Sequence, residues 1–285
     1  MTRRVGLIGK PLKRRHSQVM HDAAFDAAGI DARYVLLELD EDAVADAVLE
    51  ARGPDWLGLG VTAPYKRLVA GLCDEVEPEA HTIGAVNNVV RRDDGSLLGF
   101  NSDAPGFQAG VELAMGRSLD GAAVVVAGAG GAAHAVVFAC LRAGAREVVV
   151  GNRTAGSATA LVQRFAGVGR ATRSAVALGD PAFAAALGTA DLAVNATTVG
   201  MLDPGATIAV ELLPPEATVF DLVYVPPETP LLRAARVRGL RAANGSEMLI
   251  AQAAIAFERW TGVGGMAGVM RVAVTPLLAD ASARA

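Results

Sequence analysis

The sequence has little that would suit an oxidising compartment, a membrane or a nucleic acid. Its 285 residues include only two cysteines, Cys73 and Cys140. They stand 67 positions apart with no CxxC spacing, which leaves neither a disulfide framework nor a cysteine-based zinc site, and each is expected to be a small buried apolar side chain. No metal is called for. Basic charge is not in excess either: 26 Lys and Arg against 30 Asp and Glu give −4, and the longest basic run is Lys13-Arg14-Arg15. General attraction to nucleic acid or to an anionic membrane is not expected. Long hydrophobic runs are absent as well. Ala122 to Ala129 and Leu249 to Phe257 fall well short of the ~20 residues that span a bilayer. The opening MTRRVGLIGK has no apolar stretch of signal-peptide length, so a cytoplasmic location is expected.

What is present is a core. Apolar residues are 52% of the chain and charged residues 20%, the balance of a globular protein rather than a disordered one. At roughly 150 residues per domain the length suits two domains or one large α/β unit. Short β-rich runs alternate with helical patterns along almost the whole chain, the signature of βαβ units and mostly parallel sheets. Strands are expected at Arg4 to Ile8, Tyr34 to Leu39 and Trp56 to Val61, with helices from Ser17 to a stop at Gly29 and over Glu41 to Ala51. Ala85 to Arg91, the turn Asp93-Asp94-Gly95-Ser96 and Leu97 to Phe100 read as a β-hairpin. After a linking helix at Gly106 to Met115, strands at Val124 to Ala127, Val148 to Val150, Leu192 to Asn195 and Val219 to Val223 form a second doubly wound unit. The helical ending, Ser246 to Trp260 and Met266 to Leu278, should pack back on the first unit. The expected layout is therefore α/β with two doubly wound domains, residues 1–103 plus 244–285 for substrate and 104–243 as a Rossmann-type cofactor domain.

Gly128-Ala129-Gly130-Gly131-Ala132-Ala133 follows a β-branched strand and opens a helix, matching GxGxxA. The first glycine makes the turn, the second lets backbone approach a pyrophosphate, and the small third residue permits close packing of helix on sheet. The next strand ends in Gly151-Asn152-Arg153-Thr154, where NAD-binding domains place an Asp or Glu on the ribose. A carboxylate would repel a 2′-phosphate and a guanidinium can pair with it, so NADP(H) is favoured.

Candidate chemistry lies elsewhere in the chain. Gly60-Val61-Thr62-Ala63-Pro64-Tyr65-Lys66 sets a hydroxyl and an amine beyond the third strand, at the carboxyl edge where open α/β sheets bind ligands. Lys66 there could serve as acid or base. Asn101-Ser102-Asp103 brings a carboxylate to the expected domain junction. Gln252 puts an amide among Met248, Leu249, Ile255 and Ala256, and such an amide needs a partner, which a hydroxylated ligand or nearby backbone would supply.

Together these segments resemble the shikimate dehydrogenase family over nearly the whole chain and in the same order. The resemblance is carried by Gly9-Lys10-Pro11, Met20-His21-Asp22, Gly60 to Lys66 against N-V-T-x-P-x-K, Gly84-Ala85-Val86-Asn87-Asn88, and Gly99-Phe100-Asn101-Ser102-Asp103. Behind the glycine turn and the Asn-Arg-Thr signature come Asn195 to Met201, Asp221-Leu222-Val223-Tyr224, and Asn244 to Leu249 leading to Gln252. The resemblance implies a catalytic pair at Lys66 and Asp103, ring-hydroxyl contacts at Thr62, Asn87 and Gln252, and Tyr224 near a substrate carboxylate. It also implies that Asn195, Ala196 and Thr197 border the cofactor and that Gly245 and Met248 lie near the nicotinamide. The implied activity is NADP-dependent interconversion of shikimate and 3-dehydroshikimate, a step toward chorismate and the aromatic amino acids.

Three positions depart from that pattern. Counting without gaps from Pro11 to His21, the family's S-x-S-P carboxylate clamp falls on Arg15-His16-Ser17-Gln18, so only Ser17 matches. Arg15 could still bind a carboxylate as a fork-to-fork pair. Gly60 stands where the family has Asn, and Ser157 where it often has a second arginine. The same chemistry on a related ring acid, quinate or aminoshikimate, therefore stands beside shikimate, and a non-catalytic NADP(H) sensor is the reading from another class. The four histidines are taken as ordinary, and either a monomer or a homodimer is compatible with the sequence.

Overall fold

The computed structural model describes residues 2–12, 14–201, 203 and 205–280. The chain divides into two compact units, Met1–Ser102 with Ile250–Leu277, and Asp103–Leu249 with the residues from Leu278 on.

The first unit runs β1 (Arg3–Gly9), α1 (His16–Ala28), β2 (Ala32–Glu38), α2 (Glu41–Glu50), β3 (Trp56–Val61), α3 (Lys66–Ala70), β4 (Glu75–Val76), α4 (Pro78–Ile83), β5 (Asn88–Arg91) and β6 (Leu97–Phe100). Its sheet has the order β2-β1-β3-β5-β6-β4. The β1, β2 and β3 strands are parallel, whereas β5 runs antiparallel to both β3 and β6. The α1 helix forms because Met20, Ala24 and Phe25 bury one stripe, and it stops at Gly29, whose φ of 66° a side chain would resist. Ile8, Val44, Val48, Leu59, Val61, Val69 and Val89 belong to one core.

The hairpin is shorter than the sequence pattern suggests: β5 begins at Asn88, Asn87 still bonds the neighbouring strands, and Val86 turns away to Lys66. Val86 N–H donates to the Lys66 carbonyl and Asn87 N–H to that of Phe100. Cys73 also corrects an expectation: it is only partly buried, with its thiol donating to the Val69 carbonyl, while Cys140 is buried as expected. Burial, the main cause in each, raises the Cys73 thiol to about 11 and the Cys140 thiol to about 12.

The second unit contains α5 (Asp103–Met115), β7 (Ala123–Ala127), α6 (Gly131–Arg142), β8 (Glu147–Asn152), α7 (Ala155–Arg164), β9 (Thr172–Ala177), α8 (Pro181–Leu187), β10 (Leu192–Asn195), β11 (Thr218–Asp221), α9 (Pro230–Val237) and β12 (Arg241–Asn244). Every pairing in its sheet is parallel, in the order β12-β11-β10-β7-β8-β9. All five residues of β7 are buried, as a central parallel strand covered on both faces requires. Strand order reverses between β7 and β10, which makes their carboxyl ends the crevice where such sheets bind ligands. The chain ends in α10 (Ser246–Thr261) and α11 (Ala267–Asp280). Among the described residues no helix is long and apolar enough to cross a membrane.

Candidate functional site

In the first unit, the strand end of β3 and the chain around β5 and β6 bring most of the named polar groups together. Lys66 is the first residue of α3, partly exposed, and its carbonyl takes the Val86 N–H at 3.1 Å. The residue after Val86 is Asn87, whose carbonyl accepts from Val61 N–H at 2.8 Å, one residue before Thr62. Backbone bonds thus tie Lys66, Asn87 and the Thr62 loop into one patch. The Asn87 side chain, 6% exposed, works in three directions. Its Oδ1 accepts from Ser102 N–H at 2.8 Å and from Asn88 Nδ2 at 2.9 Å, while its Nδ2 donates to Ser102 Oγ at 3.2 Å and to Gln252 Oε1 at 3.4 Å. Gln252 therefore finds a protein partner on its apolar stripe. Asn88 Nδ2 also donates to Ser102 Oγ at 2.8 Å.

Ser102 is held by two asparagines, and the chain passes directly from it to Asp103 at the start of α5. Ser102 and Asn88 lie within the motifs quoted from the sequence but were not expected at the site, because nothing in their spacing shows that they bond each other. Fixing Ser102 fixes the residue before the carboxylate.

At the start of α1, the two departures from the serine clamp prove to be partners. Arg15 is exposed, and its Nε–H donates to Gln18 Oε1 at 2.8 Å. Gln18 Nε2 in turn donates to the Tyr34 carbonyl at 3.0 Å. Ser17, partly buried, lies between them in the chain. The third departure is close by: a Cβ on Gly60 would lie 2.6 Å from the Tyr34 hydroxyl oxygen. Tyr34 stacks on His21 with ring centroids 4.5 Å apart, and His21 meets Trp260 edge-on at 5.1 Å. Complete burial pushes His21 down to about 3, so this ring is neutral.

In the second unit, the glycine turn sits where β7 meets α6. Gly128 has φ 114°, and a Cβ there would meet the Ala196 backbone at 2.9 Å, so no other residue fits without a shift. Gly130, Gly131 and Ala132 are exposed at the start of α6, and open space lies over both glycines. Ala133 is fully buried, the small residue that close packing on the sheet needs. A helix start with bare backbone N–H groups and no covering side chain fits a pyrophosphate. At the end of β8, Asn152 Nδ2 donates to the Thr154 carbonyl at 3.0 Å and shapes the turn that carries Arg153. The Arg153 side chain is exposed, and no carboxylate stands at the end of this strand.

At the ends of β10 and β11, Asn195 and Asp221 are both buried and joined at 2.8 Å. Asn195 Oδ1 accepts from Thr197 N–H and Thr197 Oγ1 at 3.2 and 2.7 Å and from Thr207 Oγ1 at 3.1 Å. Asp221 also accepts from Thr229 Oγ1 at 2.6 Å and Val223 N–H at 3.0 Å. Burial is the main influence on the Asp221 carboxyl and raises its pKa, with those donors acting the other way. Ala196 is buried and Thr197 partly so, and both border the glycine turn. Gly245 has no room for a side chain, since a Cβ would strike the Leu222 carbonyl at 2.4 Å. Tyr224 is partly buried just past β11, and Met248 is buried in the first turn of α10.

A parallel doubly wound sheet with a glycine turn after its central strand, joined in one chain to a mixed sheet that gathers amine, amide and hydroxyl groups, defines a two-unit α/β protein of the dinucleotide-binding class. Its relatives are more specific. Residues 7–89 match the shikimate dehydrogenase substrate binding domain, residues 111–199 the shikimate/quinate 5-dehydrogenase family, and residues 245–274 the shikimate 5′-dehydrogenase C-terminal domain. The shikimate dehydrogenase (NADP(+)) of Carboxydothermus hydrogenoformans is 39% identical over 276 residues, 96% of each chain. The chain thus belongs to the shikimate dehydrogenase family. Among solved structures, shikimate 5-dehydrogenase from Thermus thermophilus in complex with NADP(H) and shikimate has a TM-score of 0.84 at 36% identity, covering 96% of this chain and 99% of its own. The 5-ketofructose reductase of Gluconobacter sp. strain CHM43 has a TM-score of 0.89 at 31% identity, covering 97% of this chain and 99% of its own.

Proposed function

We propose that the protein is an NADP-dependent oxidoreductase that interconverts shikimate and 3-dehydroshikimate, with the first unit holding the ring acid and the second the cofactor. NADP(H), when bound, accepts or returns a hydride at the nicotinamide ring. The chain's own residues do the rest. Lys66 and Asp103 take the proton that leaves the reacting hydroxyl, and Thr62, Asn87 and Gln252 bind the ring hydroxyls. Gly130, Gly131 and Ala132 hold the pyrophosphate at the start of α6, and Arg153 pairs with the 2′-phosphate.

The observation that supports this reading best is the Asn87 brace. Its side chain bonds Ser102, the residue before Asp103, while its carbonyl takes the Val61 N–H and the N–H of adjacent Val86 bonds the Lys66 carbonyl. Acid and base groups work in proton transfer only when their supports are fixed, and these bonds fix the backbone of Lys66 and the residue before Asp103. The test is reduction of NADP and of NAD with shikimate as the alcohol, for wild type and Lys66→Ala. Fast NADP reduction that falls by roughly 100-fold or more in the variant, with NADP(H) binding retained, is the expected outcome. Wild-type-like turnover in the variant would overturn the assignment of Lys66.

A second substrate reading rests on the joined Arg15 and Gln18 side chains in place of the serine clamp. The same proton and hydride chemistry on quinate or an aminated shikimate suits a guanidinium at the acid end. Faster turnover of quinate than of shikimate in the same assay would select it.

A further inference from the structure

Of the three positions at which the substrate side departs from the family pattern, Gln18 and Gly60 both approach one residue that the quoted motifs do not include, and Arg15 is linked to it through Gln18. That residue is Tyr34. Gln18 accepts from Arg15 through Oε1 and donates to the Tyr34 carbonyl through Nε2. The Tyr34 N–H is taken by Asp22 Oδ1 at 2.8 Å, and its ring lies on His21. Gln18, His21 and Asp22 are spaced i, i+3 and i+4, so a single face of α1 grips this tyrosine by both backbone groups and by its ring. A phenol held in this way loses little further freedom when it binds a ligand.

The far end of that phenol sits over Gly60. The distance of 2.6 Å from the Tyr34 oxygen to a Cβ at position 60 means that the hydroxyl fills the space where the side chain of an asparagine would begin. Gly60 and Thr62 are two residues apart along β3 and its exit, so they project from the same face of the strand, roughly 7 Å apart. Tyr34 is 3% exposed, and among the described residues its hydroxyl has no hydrogen-bond partner. The oxygen is not among the fully enclosed unpartnered atoms, so it is open to a partner from outside the chain. The terminal nitrogens of Arg15 are similarly uncommitted, since only Nε is spent on Gln18.

We infer that Tyr34 is a specificity-determining residue, its hydroxyl donating to the carboxylate of a ring polyol acid whose hydroxyls reach Thr62, and that Gln18 is a positioning residue that holds Arg15 and Tyr34 to the same end of the substrate. The inference rests on the proposed function, because it takes Thr62 to lie against the substrate. With glycine at position 60 the phenol has room to lie over β3, and Arg15 and Gln18 supply a guanidinium with a fixed anchor. The changes form one substitution of donors rather than three separate losses.

Steady-state kinetics of Tyr34→Phe and Gln18→Ala, with shikimate and quinate as substrates, test this. Tyr34→Phe should raise the KM of the preferred ring acid roughly tenfold, as for loss of one hydrogen bond to a charged group, with kcat within about twofold and the KM for NADP unchanged. Gln18→Ala should act in the same direction, and the double variant should lose less than the product of the two, because both serve one group. Gly60→Ala supplies a check on geometry that needs no substrate: it should lower the melting temperature in the wild type and much less in the Tyr34→Phe background, where the clashing oxygen is gone. An unchanged KM in Tyr34→Phe, with wild type turning over the ring acid, overturns the role of Tyr34 and leaves the proposed function standing. Absence of turnover of any ring acid by the wild type overturns both.

Discussion

Asn195 and Asp221 end adjacent parallel strands, stand opposite each other in register, and are joined side chain to side chain at 2.8 Å in the buried interior of the second unit. The pair connects the loop after β10 to the loop after β11. From Asn195 the bonds run to Thr197 and Thr207, and from Asp221 to Val223 and Thr229. Asn195→Ala removes one amide that serves both loops and leaves the carboxylate with fewer donors. The expected cost is about 1–3 kcal/mol of stability, together with a rise in the KM for NADP, because Thr197 lies against Gly128. Chemical denaturation and cofactor titration would check the two parts separately.

Gly128 and Gly130 should fail in different ways. A side chain at Gly128 meets the Ala196 backbone and an unfavourable φ, so Gly128→Ala should lower the melting temperature as well as cofactor affinity. Gly130 has open space above it, so Gly130→Val should fold like the wild type and lose NADP(H) binding, because the added methyls take the space of the pyrophosphate. Thermal melts with and without NADP would separate the two outcomes.

Arg153 is expected to set the cofactor preference by itself. Arg153→Ala should weaken NADP binding by about 1–3 kcal/mol, the usual range for a charged hydrogen bond, and leave NAD binding nearly unchanged. Parallel titrations of both nucleotides decide it. An unaltered ratio would place the 2′-phosphate elsewhere.

His21 gives the protein a dependence on acid that has nothing to do with catalysis. Burial holds it near 3 in the folded chain against 6.5 when unfolded. A depressed folded pKa means that the unfolded chain binds the proton first, so stability is full above pH 6.5 and declines as pH falls from there toward 3. By pH 5 this one residue should account for about 2 kcal/mol, at about 1.36 kcal/mol per unit. His21→Phe should keep an aromatic ring in the stack and flatten that part of the curve, measured by denaturant titration at about pH 7 and about pH 5.

Much of this was legible in order along the chain. The β7 strand and the glycine turn could be read because a buried parallel strand is a continuous β-branched run and the turn after it admits few side chains. The helix boundary at Gly29 and the strand Trp56–Val61 were equally plain, from a stop residue and an apolar run. Short elements such as α3, β4, α4 and α9 were not, because they span too few residues to show a period. The edge strand β9, half exposed, carries no run of its own.

At the candidate site the division is sharper. The residue types themselves, an amine at Lys66, a carboxylate at Asp103, amides at Asn87 and Gln252, an arginine rather than an acid at 153, were determined by the sequence, because their chemistry is a property of each side chain and their order matches that of a family. Which groups are partners was decided only by the tertiary structure. Asn87 reaches Gln252 across 165 positions, and Gln18 reaches Tyr34 across 16. A hydrogen bond depends on distances of about 3 Å and on direction, neither of which is written in the spacing of residues along a strand or helix. Three separate departures from a motif, at 15, 18 and 60, therefore looked unrelated in the sequence and became one connected set around Tyr34 once β2 was laid beside β1 and against α1.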